Sequence, residues 1–172
     1  MAAGKSEVVR FVLAWSAPTW RGNGYNWVGC DNVFRHMYDK HYPDALNTAA
    51  QFGKARKQLL ARTLAWQEVI YTDTSLPVWL RDGLVNILYC ITEDGFWAQR
   101  DEKLLSWATE EDGLFGLCEC PRGCPQIECI PCSFYGSQPL VYLFPALQLS
   151  TMRGYKHYQG EVGRPAWTFG GG

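Results

Sequence analysis

A mainly α-helical domain that opens on one short strand is the fold class this chain predicts, and three observations predict it. Residues 44–72 place Ala45, Ala49, Phe52, Ala55, Leu59, Thr63, Trp66 and Ile70 at three- and four-residue steps, with Lys54, Arg56, Lys57 and Arg62 largely elsewhere on the wheel. Residues 74–91 and 134–158 hold two further apolar blocks with helical spacing. Clean alternation of side chains is found at residues 7–15, where Val9, Phe11, Leu13 and Trp15 share one face.

In chain order, residues 7–15 read as a strand that Pro18 ends, and residues 19–30 as a glycine-rich loop anchored by Trp20, Tyr25 and Trp27. A single strand needs partners, which are expected in an N-terminal part outside this chain. The long helix over residues 44–72 follows. A second helix is expected from an N-cap at Thr74 or Ser75, with Pro77 in its first turn, to about Ile91. Its apolar residues cover more than half the circumference, so burial on more than one side is expected, with Trp66 and Trp79 packed in the core. Glu93-Asp94-Gly95 closes it with a turn. Residues 101–112, mixed in charge and poor in apolar side chains, read as an exposed excursion. Residues 113–117 read as extended. The last helical block is interrupted at Pro145, with residues 146–158 as a separate helix, and residues 160–172 are loop-like with Trp167 and Phe169 as anchors.

Composition narrows the function classes. Of 172 residues, 47% are hydrophobic and 15% aromatic, enough for a globular core. Sixteen basic against seventeen acidic residues leave a formal charge of -1, so no basic field points to nucleic acid or to an anionic membrane. No apolar run approaches the roughly 20 residues a spanning helix needs. The start lacks the pattern of a secretion signal, and the seven cysteines are an odd number for a closed disulfide set. A reducing compartment such as the cytoplasm is the expectation, with no cofactor required.

Residues 113–137, GLFGLCECPRGCPQIECIPCSFYGS, are the stretch on which function is expected to rest. They combine Glu119 and Glu128 with five cysteines in a segment rich in turn formers, which reads as a long ordered loop. Two carboxylates on a constrained loop near aromatic residues suit glycoside hydrolysis, where one attacks or activates water and the other handles protons or sugar hydroxyls. The rival chemistry is zinc: Cys118, Cys120, Cys124, Cys129 and Cys132 include a C-x-C and a C-x-x-C. Against it, all these ligands crowd one short segment, and cysteine is often simply a buried residue. A catalytic thiol ranks last, since His36, His41 and His157 offer no evident base.

Three phrases resemble the catalytic region of glycoside hydrolase family 116, which includes non-lysosomal glucosylceramidases and bacterial β-glucosidases. They are FVLAWSAP at 11–18, LPVWLRDGLVNILYCITEDGFW at 76–97 and FYGSQPLVYLFPAL at 134–147. The resemblance implies part of an (α/α)6 barrel over residues 19–172, with residues 1–18 as the end of a preceding β domain. It implies retaining hydrolysis of β-glucosides, including glucolipids, through a covalent glycosyl-enzyme. By the same resemblance Glu119 matches the nucleophile and Glu128 a sugar-binding acid, with Trp97 and Tyr135 lining the pocket. The segment before Phe134 departs from the family phrase, showing Glu-Cys-Ile-Pro-Cys, so the two glutamates can exchange roles. No residue here matches the family's acid/base aspartate, and the chain is expected to be a fragment that does not turn over substrate alone.

Overall fold

Asp44 starts the longest element. Its carboxylate accepts the Asn47 N–H at 2.6 Å, and α1 runs over Ala45–Tyr71 as the periodicity predicts. The computed structural model describes residues 4, 6–21, 33–120, 124–128 and 136–158, with the backbone alone described at Arg21, Glu119, Cys120 and residues 124–126. Before α1 come β1 (Thr19–Arg21), β2 (Val33–Arg35) and a 3-10 turn at Met37–Lys40. After it come α2 (Val78–Asn86), α3 (Tyr89–Glu93), β3 (Gly95–Ala98), β4 (Leu114–Cys120), β5 (Cys124–Ile127), α4 (Gln138–Leu143) and α5 (Pro145–Tyr158). Helices take about half of the described residues, and the strands form two small antiparallel sheets, β1-β2 and β3-β4-β5.

The architecture is therefore mixed, and the pattern of an (α/α)6 barrel is not evident in it. The core sits on the sheets and not between the helices. Phe34, Phe96, Ala98, Leu105, Ala108, Leu114, Cys118 and Ile127 are buried together, with Trp20 packed on Phe96 at 5.1 Å between ring centroids. No residue of α1 is buried, and in α2 only Val85 is.

Several expectations are corrected by this arrangement. Residues 7–15 belong to no ladder, and Phe11 and Leu13 stand 92% and 84% exposed. Trp79 is also exposed, whereas Trp66 lines a groove with Leu59, Leu88 and Phe144. The second helix starts at Val78, with Pro77 at its N-cap, because Asp73 takes the Ser75 N–H and hydroxyl in a turn of its own, and it breaks after Asn86. Residues 101–112 are no loose excursion: Asp101 accepts the Lys103 and Leu104 N–H groups, and the turn they form buries Leu105 and Ala108 completely or nearly so. Charge count missed these two apolar side chains. The break at Pro145 and the helix after it stand as expected.

The sheet edge that carries the site has a particular construction. β4 pairs with β3 from Leu114 to Leu117 and with β5 from Cys118 onward. Over residues 113–117 its second edge meets side chains instead of a strand. Ser150 of α5 accepts the Phe115 N–H and donates to the Gly113 carbonyl, both at 2.9 Å, and Thr151 donates to the Phe115 carbonyl at 2.9 Å. Both hydroxyl residues are buried. The turn into β4 needs Gly113, whose φ is +57° and where a Cβ would overlap the Ala98 carbonyl.

Candidate active site

Glu119 is not on a loop. It lies within a β-hairpin and Glu128 directly after its second strand, because the apolar run entering at Leu114 continues as β4 through Cys120 and the chain returns as β5. Cys118 faces Ile127 and Cys120 faces Cys124. One residue lies between the two pairs on β4 and two lie between them on β5, so Pro125 and Gln126 together oppose Glu119. Such a bulge re-aims the local backbone and is common beside active sites. Pro125, which lacks an N–H for the ladder, sits in the irregular part.

Glu128 follows β5 directly and closes the hairpin. Its N–H donates to the Leu117 carbonyl at 2.7 Å, and its Oε2 accepts the Leu117 N–H at 2.8 Å. The side chain thus takes the place of the next backbone acceptor. That reciprocal pair requires φ of +61° at Glu128, the one described non-glycine residue in the left-handed region. Glu128 is 3% exposed, and burial pushes its carboxyl up to about 7 against the pull of the Leu117 N–H. An acid with that value is near half-protonated at neutral pH.

Beside the hairpin lies a hollow of about 160 Å³ lined by Trp20, His36, Glu93, Asp94, Phe96 and Cys118. Three elements bring these side chains together: β2 leads into His36, α3 ends at Glu93 and Asp94, and the Cys118 N–H donates to the Asp94 carbonyl at 2.6 Å. Burial lowers the His36 imidazole below its ordinary value. Burial first, then the carboxylates of Asp94 and Glu128, push the Cys118 thiol up to about 11, so it stays protonated and is neither a nucleophile nor a ready metal ligand at neutral pH.

The other expected site residues divide. Trp97 lies across the ladder from Phe115, with its ring edge-on to that residue and its Nε1 donating to the Asp112 carbonyl at 2.7 Å. It occupies the face of β3 opposite Phe96, and so it does not reach the hollow. Tyr135, Cys129 and Cys132 lie outside the described residues, and of Cys120 and Cys124 the backbone alone is described. Among the described residues no three His, Cys, Asp or Glu side chains are placed to hold a metal ion.

Sequence reasoning named Trp20 as a loop anchor, His36 as no evident base and Asp94 as a turn residue, and it missed Ser150 and Thr151 altogether. His36 sits in an ordinary FRHMY phrase, and only the isolated bridge between His36 and Ala98 brings it beside β3. No family model matches the chain.

Proposed function

We propose that this chain carries the nucleophile-bearing part of a retaining hydrolase of β-glucosides or glucolipids, of the glycoside hydrolase family 116 kind, and that its acid/base group is not among these residues. The observation that supports this reading is the strand bulge at Glu119, on a hairpin that the buried Glu128 closes against Leu117. In this reading the Glu119 carboxylate attacks the anomeric carbon and the leaving oxygen departs with the bonding pair. Burial shifts the part given to Glu128. With 3% exposure and its carboxyl on the Leu117 N–H, it positions the strand that carries Glu119, in preference to holding sugar hydroxyls. Trp97 and Tyr135 keep the aromatic wall in the proposal, Trp97 from the half-open face of β3.

A test that needs no acid catalyst separates the nucleophile from the rest. A 2-deoxy-2-fluoro-β-glucoside with a dinitrophenolate leaving group needs no proton on departure, so the chain alone should be glycosylated at Glu119 and hold the label. Mass spectrometry of the peptide ending at Arg122 reads it. The Glu119→Gln variant should take none, because an amide does not displace the leaving group. Equal labelling of the variant, or no labelling of the parent, removes Glu119 from the role.

A further inference from the structure

The end of the hairpin carries a feature that the glycosidase reading does not use. Cys120 and Cys124 are the last register partners of β4 and β5, joined by only Pro121, Arg122 and Gly123. Directly opposed residues of an antiparallel pair have Cα atoms roughly 4.5–5.5 Å apart. A disulfide bridges Cα separations of roughly 4.4–6.8 Å. The register therefore holds these two positions at bridging distance without backbone movement. The described cysteines elsewhere behave differently: Cys118 is buried with its thiol pushed up to about 11, and burial and Asp94 raise the Cys90 thiol too.

We propose that Cys120 and Cys124 form a reversible disulfide across the tip of the hairpin, a redox modification site one residue beyond Glu119. With glutathione disulfide as oxidant, one of the two thiolates attacks a glutathione sulfur, forming a mixed disulfide and releasing glutathione thiolate. The second cysteine thiolate then attacks the first cysteine's sulfur, closing the protein disulfide and releasing the second glutathione. Two protein thiols are oxidised, one glutathione disulfide is reduced to two thiols, and the two protons pass to the glutathione thiolates. A loop this short removes little entropy from the unfolded chain, so the bond is expected to be easily reduced. The bridge would pin the strands beside Glu119; that consequence alone rests on the glycosidase reading.

The experiment uses the chain without substrate, so its failure and the failure of the glycosidase reading are distinguishable. The protein is equilibrated in glutathione buffers from reducing to oxidising, quenched with acid, alkylated with N-ethylmaleimide and cut with trypsin. Cleavage after Arg122 separates Cys118 and Cys120 from Cys124, Cys129 and Cys132. The expected result is one pair of peptides joined through Cys120 and Cys124, reversed by reduced glutathione, with Cys90 and Cys118 alkylated throughout after unfolding in the quench. In the Cys124→Ser variant Cys120 should stop at the glutathione adduct, which the parent resolves. A Cys120 that stays alkylated under oxidising buffer, or that bridges to Cys129 or Cys132, overturns the proposal. So does a Cys124→Ser variant in which the fate of Cys120 is unchanged.

Discussion

Glu128 combines a left-handed backbone, near-complete burial and a carboxyl raised to about 7. Its folded-state value lies above the ordinary 4.5, so the stability it contributes is whole below about pH 4.5 and is lost as pH rises through about 7. The difference corresponds to on the order of 3 kcal/mol. His36 works in the opposite sense: its lowered value contributes stability that is present above about 6.5 and lost as pH falls. The useful readout is therefore parent against Glu128→Gln, which keeps an acceptor for the Leu117 N–H and removes the charge. Between pH 5 and 8 the thermal midpoint of the parent should fall relative to that of the variant, leaving Glu128→Gln the more stable at pH 8. Parallel midpoints across the range would show that Glu128 does not titrate in the folded chain.

At the scale of elements, the hydrophobic periodicity located α1 within a residue or two, because a 3.6-residue repeat sustained for 27 residues has no rival reading. Pro145 marked the boundary of α5 equally well. The hairpin was hidden for a physical reason. CECPRGCPQI carries no alternation of apolar and polar residues, and its register is fixed by partners distant in sequence: the Leu117–Glu128 bonds and the α5 hydroxyls. The two acids could be picked out by residue type, but their burial could not, since nothing local tells a buried glutamate from a solvated one. Ser150 and Thr151 read as ordinary helix residues until α5 is laid against β4. Removing the Ser150 hydroxyl leaves the buried Phe115 N–H and Gly113 carbonyl without this partner, so Ser150→Ala should cost about 1–3 kcal/mol in denaturant unfolding. A change within about 0.5 kcal/mol, as at a surface site, would mean the hydroxyl does not complete that edge.

Across the whole molecule, apolar surface is unevenly distributed. Phe11, Leu13 and Trp15 stand 78% or more exposed, and Leu46, Val69, Val78 and Trp79 add further exposed apolar area on α1 and α2. Apolar area of this kind drives association in water. The purified chain should bind a hydrophobic dye and self-associate as its concentration rises, measured by light scattering. Phe11→Ser with Trp15→Ser should lower both signals without moving the unfolding midpoint, since these side chains pack on little. Unchanged scattering would place the sticky surface elsewhere. The three-stranded sheet behaves otherwise, because Ser150, Thr151 and Glu128 plug the rim of β4 where an extra strand would dock. A plugged rim offers no template to an incoming chain. An incoming strand could pair with that rim only after α5 and the Glu128 carboxyl were stripped from it, which would unseat the hairpin that bears Glu119.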